Sequence, residues 1–296
     1  MTLPSPPPAP PAPPAEAQRV TVLVVTYNSA HCVPALGRGL QGLPWITVVD
    51  NASADDTLTQ VQAHLPQAVV LRLATNRGFG AANNLGWQAA RTEYLLLLNP
   101  DCICTPEAIA QLVRTADAYP EASSVAPQLL GRRREPDISY RWRADAWASR
   151  GPGASGPCCV GFVSGAVMLV RRSALQQVGG FDEGFFLYYE DEDLCLRLID
   201  QAGPIVVDPA AQVQHLSRGS VGGRQRLRAE YLRGLHHIQS KFRFRRKHLG
   251  RSTSLAQRLG YGLGAAAETL LRLLLLDGRR AARSAGRVAG VLGYRG

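Results

Sequence analysis

Four apolar runs in the first hundred residues each end in a polar cluster, and this repetition constrains the fold more than any other feature of the chain. Val20 to Val25 runs into Thr26-Tyr27-Asn28, Ile46 to Val49 into Asp50-Asn51, Val69 to Leu73 into Thr75-Asn76-Arg77, and Tyr94 to Leu98 into Asn99-Pro100-Asp101. Continuous apolar strands separated by helix-length segments predict a parallel sheet covered on both faces. In such sheets ligands bind beyond the carboxyl ends of the strands, where these clusters fall.

A chain of 296 residues can bury one sizeable core with an appendage. Its net charge of +10 hides an asymmetry. Residues 1–217 hold 15 Lys and Arg against 20 Asp and Glu, whereas residues 218–296 hold 18 against 3. The basic surplus therefore belongs to the last quarter alone. The six cysteines have no zinc-site spacing and nothing resembles a secretory signal, so a reducing, cytoplasmic setting is expected. Residues 4–14 are nearly all Pro and Ala, which predicts an extended, disordered leader over residues 1–18.

Strand and helix patterns alternate from residue 19 to about residue 120, as βαβ units require. Arg132 to Gly156 is polar, arginine-rich and interrupted by Gly and Pro, which predicts a long surface connection. Phe162 to Val170 reads as a further strand, Asp191 to Ala202 as a short helix stopped by Gly203, and Ile205 to Val207 and Val213 to His215 as two late strands. From Arg218 onward the pattern is helical and basic. No fixed-period repeat occurs.

Asp101 stands at the tip of a buried strand, where a carboxylate needs a cationic partner; a divalent metal carrying a diphosphate would supply it. Capping of the following helix, which opens at Thr105-Pro106-Glu107, is the alternative. The segment Asn76-Arg77-Gly78-Phe79-Gly80-Ala81-Ala82-Asn83 is a Gly-rich turn opening a helix, suited to close approach of a phosphate or ribose or simply to a tight turn. Asn83 stands where a dinucleotide fingerprint needs its third glycine, which excludes a Rossmann dehydrogenase. Glu190-Asp191-Glu192-Asp193 places four carboxylates at a helix start behind an aromatic run. The helix dipole and the spacing of Asp193 to Arg197 explain part of this cluster, and a general base with a raised pKa would explain the rest. His215 closes a strand-like run and is a candidate ligand or a packed residue. No HExxH, GxSxG or P-loop pattern occurs.

The motifs Val24-Val25-Thr26-Tyr27-Asn28, Val48-Val49-Asp50-Asn51-Ala52-Ser53, Asn76-Arg77-Gly78-Phe79-Gly80, Asn99-Pro100-Asp101, and Gly179-Gly180-Phe181-Asp182-Glu183 with Tyr189-Glu190-Asp191-Glu192-Asp193 resemble family 2 glycosyltransferases of the GT-A fold, in the bacterial rhamnosyltransferase-like subgroup. The resemblance covers about residues 19–217 and implies a Rossmann-like, mostly parallel α/β sheet flanked by helices. It implies that Thr26, Tyr27, Asp50 and Asn76 hold the base and ribose of a sugar nucleotide. It extends the donor site to Asn28, Asn51, Arg77, Gly78, Gly80, Asn83 and Asn99. It also implies that Asp101 binds Mg²⁺ or Mn²⁺, with His215 as a further ligand. Asp191 would be the general base, with Ser164, Gly165 and Glu190 on the acceptor side and Arg132 to Gly156 as a lid. The familiar DxD metal motif is reduced to Asn99-x-Asp101, which brings less charge to the metal.

The expected reaction is inverting, metal-dependent transfer of one sugar, L-rhamnose from dTDP-rhamnose or another sugar from a UDP-sugar, to a glycan or polyprenol-linked acceptor. A processive synthase is disfavoured because the QxxRW signature and membrane spans are missing. In residues 218–296, Leu255, Leu259, Leu263, Ala266, Leu270 and Leu274 recur at helical spacing, and Ala281, Ala285, Val288 and Leu292 oppose Arg280, Arg283 and Arg287. These faces predict helices lying on the anionic inner surface of the cell membrane, with a hairpin packed on the catalytic domain as the alternative. Nucleic acid is not expected as a partner, because aromatics are scarce in the tail and no RNA-binding motif occurs. A dead transferase fold that only docks on membranes or nucleic acid is the competing class, and retention of Asp101 and Asp191 argues against it.

Overall fold

The computed structural model describes residues 12–143, 152–216 and 226–294. The strands are β1 (Val20–Thr26), β2 (Ile46–Asp50), β3 (Val69–Arg72), β4 (Tyr94–Leu98), β5 (Cys102–Ile103), β6 (Ser124–Leu130), β7 (Pro136–Asp137), β8 (Tyr140–Arg141), β9 (Cys158–Val160), β10 (Phe162–Val163), β11 (Val167–Arg171) and β12 (Ile205–His215). Between them lie α1 (Val33–Gly39), α2 (Thr57–His64), α3 (Phe79–Ala89), α4 (Pro106–Ala118), α5 (Arg172–Val178) and α6 (Glu190–Gln201), and α7 (Arg226–Leu249), α8 (Leu255–Leu274) and α9 (Gly278–Leu292) follow. The main sheet runs β3-β2-β1-β4-β11-β6-β12-β5. It is mostly parallel, with β11 antiparallel between β4 and β6.

Both faces of the sheet are covered, which is why β1, β2 and β4 are apolar at nearly every position and buried throughout. One apolar layer gathers Val22, Val24, Leu96 and Leu98, the other Leu23, Val49, Leu95 and Leu97, as alternation along a strand requires. β3 departs from the expectation. It pairs only with β2 at the sheet edge, and Val69 and Val70 are exposed. The expected late strands are one strand, β12, with an irregularity between Asp208 and Gln212 around Pro209.

Two further boundaries move. Ala15–Arg19 is a 3₁₀ turn with Ala17 buried, and Arg19 pairs with Glu93 and Asp117, so the ordered body begins before residue 19. The earlier part of the expected leader, residues 1–11, lies outside the described residues. The polar connection is not simply a surface loop, because it carries β7 and β8, and Tyr140 and Arg141 are buried. The Arg141 guanidinium lies 3.9 Å from the Phe162 ring and 2.8 Å from Glu192, so this arginine packs beneath the acidic helix. Residues 144–151, the centre of the expected lid, lie outside the described residues, as do Ser217 to Ser220.

The C-terminal helices are a packed part of the body. Arg243 and Lys247 of α7 pair with Asp182, and Lys247 and His248 reach Asp193. α9 lies on α7 through a stripe of small residues: a Cβ at Gly286 would stand 1.9 Å from the Tyr231 carbonyl oxygen, and one at Gly234 1.9 Å from that of Arg283. α8 covers α9, burying Ala265, and leaves Leu255, Leu259, Leu263, Leu270 and Leu274 exposed. Overpacking at such a crossing costs ~1–3 kcal/mol. Gly286→Val is therefore expected to lower the urea midpoint of unfolding; an unchanged midpoint would mean that α9 is not pressed against α7.

Candidate active site

The parallel strands carry Tyr27, Asn51 and Asn99-Pro100-Asp101 to one edge of the sheet. β11 enters from that edge, pairing Val167 with Leu98, so the Ser164-Gly165-Ala166 segment before it lies against the Asp101 loop, and Asn99 N–H donates to Ala166 O at 2.8 Å. β12 ends there too. Its last residue, His215, pairs with Cys102, and the Leu216 amide donates to Asp101 O at 3.0 Å. Register thus sets the His215 imidazole 3.7 Å from the Asp101 carboxylate.

These residues open on a cleft of about 710 Å³. Of the expected site residues, Tyr27, Asn51, Asn76, Gly78, Asn99, Asp101, Ser164, Gly165, Glu190, Asp191 and His215 line it. Thr26, Asn28, Asp50, Arg77, Gly80 and Asn83 do not, and each has structural work. The Thr26 hydroxyl and the Ser53 amide donate to Asp50, each at 3.2 Å, which braces the ends of β1 and β2. Asn28 accepts from Ala54 N–H at 2.8 Å, Asn83 donates to Phe79 O, and Gly80 faces Phe181. Arg77 is turned to Glu183, 2.9 Å away.

The Gly-rich turn binds its own chain rather than offering free amides. Arg77 N–H donates to Asn51 Oδ1, Gly78 N–H to Asn76 Oδ1 and Phe79 N–H to Phe186 O. Gly78 has φ +91°, and a Cβ there would stand 2.4 Å from Phe186 O, so the glycine serves contact with the aromatic run before α6. The Gly179-Gly180-Phe181-Asp182-Glu183 motif is likewise a joint. Asn84 of α3 bonds both Phe181 and Glu183, while Asp182 anchors α7.

The acidic motif is presented by Tyr188 and Tyr189, which have φ of +69° and +68°. Left-handed backbone at non-glycine residues costs on the order of 1–3 kcal/mol and persists only where packing enforces it. Here the enforcing contacts are the His237 and Phe244 rings. Asn28 and Ala52, also left-handed, close β1 and β2 at the same edge.

At the start of α6 each carboxylate has its own environment. Asp193 is fully buried and meets Arg197, Lys247 and His248 at 2.6–2.7 Å. Glu192 pairs with Arg141, yet burial and the neighbouring Asp191 push its carboxyl up to about 7. Asp191 is half-buried and accepts from the Gly165 and Glu192 amides at 3.1 and 3.0 Å; burial still outweighs these bonds and raises its pKa. Glu190 is pushed well above the carboxylate range by burial and by Asp191, and its Oε2 has no hydrogen-bond partner among the described residues.

The donor set at the strand ends fits a divalent cation. Asp101, His215 and Cys102 offer ligand atoms within 4.8 Å of one another, and the carboxylate–imidazole separation suits two ligands of one ion. The Cys102 thiol is directed to Ala166 O and burial raises its pKa, which disfavours the thiolate form and leaves Asp101 and His215 as an O/N pair. Helix capping does not occupy Asp101, since Thr105 caps α4.

Several contributors carried no readable sequence signal. Arg141 sits in a stretch whose composition reads as loop, and the tyrosine dihedrals are set by tertiary contacts. Arg233 of α7 and Arg283 and Arg287 of α9 also line the cleft, which corrects the expectation that Arg283 and Arg287 face lipid headgroups. The stripe of Ala281, Ser284, Gly286 and Gly290 along α9, buried here, is the signal that could have placed that helix against protein.

A mostly parallel sheet with one inserted antiparallel strand, Asp101 at a central strand end and an acid-headed helix beside it define a GT-A glycosyltransferase fold. The chain belongs to glycosyl transferase family 2: residues 21–179 match the family model, and it is a glycosyltransferase. It is 31% identical over 245 residues to N-acetylglucosaminyl-diphospho-decaprenol L-rhamnosyltransferase of Mycobacterium tuberculosis, covering 68% of this chain and 77% of that protein. Rhamnosyltransferase WbbL of Escherichia coli K12 is 31% identical over 142 residues, covering 41% of this chain and 54% of the relative. Mannosyltransferase PcManGT from Pyrobaculum calidifontis, solved with GDP-Man and Mn²⁺, shares the fold with a TM-score of 0.60 at 18% identity, over 94% of this chain and 88% of that one.

The titration of Glu192 is open to measurement. With a folded value of about 7 against an ordinary 4.5, its contribution to stability is fully present below pH 4.5 and is lost as pH rises through 7. His236 and His237, whose pKa values are lowered by burial, act in the opposite sense over part of that range, so the comparison is between variants. The melting temperature of Glu192→Gln is expected to gain on that of the wild type between pH 5 and 8; parallel curves would place Glu192 in the ordinary range.

Proposed function

We propose that the protein transfers a single L-rhamnose from dTDP-rhamnose to a lipid-linked or cell-envelope glycan, with inversion at the anomeric carbon. The observation that carries this reading is that the Asp191 carboxylate and the Asp101–His215 pair open on one cleft. The rhamnosyltransferase relatives support the sugar, and the name of the mycobacterial one supports an acceptor joined to a polyprenol.

Tyr27, Asn51 and Asn76 hold the nucleoside, with Thr26 and Asp50 bracing the strand ends behind them. Asp101 and His215 would hold Mg²⁺ or Mn²⁺, which would supply positive charge to the departing diphosphate. Asp191 takes the proton from the acceptor hydroxyl as that oxygen bonds to the anomeric carbon and the bond from carbon to the diphosphate oxygen breaks. The Gly165 and Glu192 amides aim the Asp191 carboxylate. Burial and the neighbouring Asp191 push the Glu190 pKa up, which disfavours a second charge beside the base.

Rhamnosyl transfer from dTDP-rhamnose to a short acceptor analogue is the direct test. Asp191→Asn is expected to lower turnover by ~10³-fold or more while leaving dTDP affinity nearly unchanged, since a base acts on the transition state alone. Asp101→Asn is expected to abolish the Mn²⁺ dependence of dTDP binding, with a smaller effect for His215→Ala. Near-normal turnover of Asp191→Asn with a natural acceptor refutes the base assignment, and unchanged Mn²⁺ dependence in Asp101→Asn removes that residue from the metal site.

The acceptor reading places the enzyme at the membrane surface. Support comes from α8, where Leu263, Leu270 and Leu274 are 72%, 65% and 82% exposed on one face, and from the exposed Arg279 and Arg280 just beyond it. No described helix is long and apolar enough to cross a membrane. Leu263→Glu, Leu270→Glu and Leu274→Glu together are expected to release the protein from phosphatidylglycerol vesicles in co-sedimentation while sparing turnover of a soluble acceptor. Unchanged sedimentation would overturn this placement.

A further inference from the structure

We propose that Arg233, Arg283 and Arg287, brought to the cleft by α7 and α9, form a binding site for the diphosphate of a lipid-linked acceptor; this deepens the function proposed above and rests on its acceptor class.

Three arginines from two helices line a cleft whose other wall carries Glu190 and Asp191. Their charge is in surplus. Glu230 takes Arg233 and Arg283 at 2.8 Å and Arg279 at 3.5 Å, while Glu268 takes Arg287 at 3.0 Å and Arg272 at 3.8 Å. Among the described residues, five guanidinium groups, three of them lining the cleft, share these two carboxylates, so the cluster is net positive and suited to an anionic ligand. Glu230 is buried, and Arg283 and Arg233 hold its carboxyl below the ordinary range despite that burial, so it stays ionised and fixes the two guanidinium groups in place. Donor capacity is left over: Arg283 Nε is buried with no hydrogen-bond partner among the described residues. Arg283 and Arg287 lie one helical turn apart on α9, a separation of roughly 5–6 Å between Cβ atoms that suits two successive phosphates.

The arginines come from α7 and α9, whereas the Asp101–His215 pair, proposed above for the donor's diphosphate, stands at the strand ends of the same cleft. Arg233 and Arg283 also lie near Tyr188, just before the acidic motif. Burial pushes the Tyr188 phenol up, and Arg233 and Arg283 pull it back. His237, next to Arg283 and Arg287, contacts the rings of both Tyr188 and Tyr189, the residues that present Glu190 and Asp191. On the outer side, Arg287 joins α9 to Glu268 of α8, the helix with the exposed leucine face. α8 thus brings apolar surface to the same helical bundle as the guanidinium groups, the two features that a diphosphate carried on a lipid would need.

Free diphosphate shares the recognising chemistry, so the test separates the two sources. Protein saturated with dTDP and Mn²⁺ is titrated by calorimetry with farnesyl diphosphate, inorganic pyrophosphate and farnesol. Farnesyl diphosphate is expected to bind without displacing dTDP, about tenfold or more tighter than pyrophosphate because the chain adds apolar burial; farnesol is expected not to bind. Loss of one charged contact typically costs about tenfold, so Arg283→Gln and Arg287→Gln should each weaken farnesyl diphosphate by that factor, with dTDP affinity held and Arg287→Lys largely restored. Pyrophosphate binding as tightly as farnesyl diphosphate would make this a free-diphosphate site. Displacement of dTDP would assign the arginines to the donor, and unchanged affinity in both Gln variants would remove them altogether. The wild-type titrations need no variant to fold. The measurement involves no sugar transfer, so failure of the rhamnosyltransferase reading and failure of this one are told apart.

Discussion

Four consecutive carboxylates at one partly buried helix start cannot all ionise without compensation, and much of the molecule is arranged around that constraint. Asp193 is neutralised by Arg197 from its own helix and by Lys247 and His248 from α7, so the terminal helices are needed to bury it. Glu192 is met by Arg141, which explains why an arginine from a polar, loop-like stretch is packed against Phe162. Asp191 accepts from two backbone amides and feels Arg141, and burial together with Asp191 pushes the Glu190 carboxyl well above the ordinary range. The catalytic body and the C-terminal extension are thereby coupled: without α7, Asp193 would lose the Lys247 ammonium and the His248 imidazole.

The sheet and the strand-end clusters were legible because covered parallel strands leave an unmistakable apolar run, and β1, β2 and β4 lie where those runs are. Val69 to Leu73 looked the same and became an exposed edge strand, since an apolar run does not say whether a second neighbour will pair with it. The nearness of Asp101 and His215, more than a hundred residues apart, follows from β12 pairing antiparallel with β5. No local pattern encodes that register. The Gly-rich turn kept two readings open for a related reason: Gly78 stands against Phe186, a partner that lies far along the chain.

The tail shows why charge and periodicity together leave a helix's partner open. An amphipathic face has the same spacing whether protein or lipid covers it. α9 and α8 both read as apolar stripes opposed by arginines, yet α9 is pressed on α7 and α8 keeps its leucines in the open. Backbone access distinguishes them. Gly286 and Gly290 stand opposite carbonyl groups of α7 where any side chain would collide, whereas Gly260 and Gly264 of α8 face open space. The surplus of basic residues is likewise not one property: Arg243 and Lys247 anchor, Arg283 and Arg287 line the cleft, and Arg279 and Arg280 remain exposed.

In the proposed mechanism, burial selects which of the neighbouring acids acts as the base. A base must reach the cleft and be ionised while its neighbours are not competing for the same proton. Glu190 reaches the cleft but is the more deeply buried, with its pKa pushed up by burial and by Asp191, and Glu192 is turned to Arg141. Asp191, partly exposed, carries two amide donors that favour its charged form. The first of those donors is the amide of Gly165, whose missing side chain leaves room for the Asp191 Cβ, 3.2 Å from where a Cβ of its own would stand. A small residue just before the strand that enters the site from the opposite direction therefore helps to position a carboxylate on a helix more than twenty residues later.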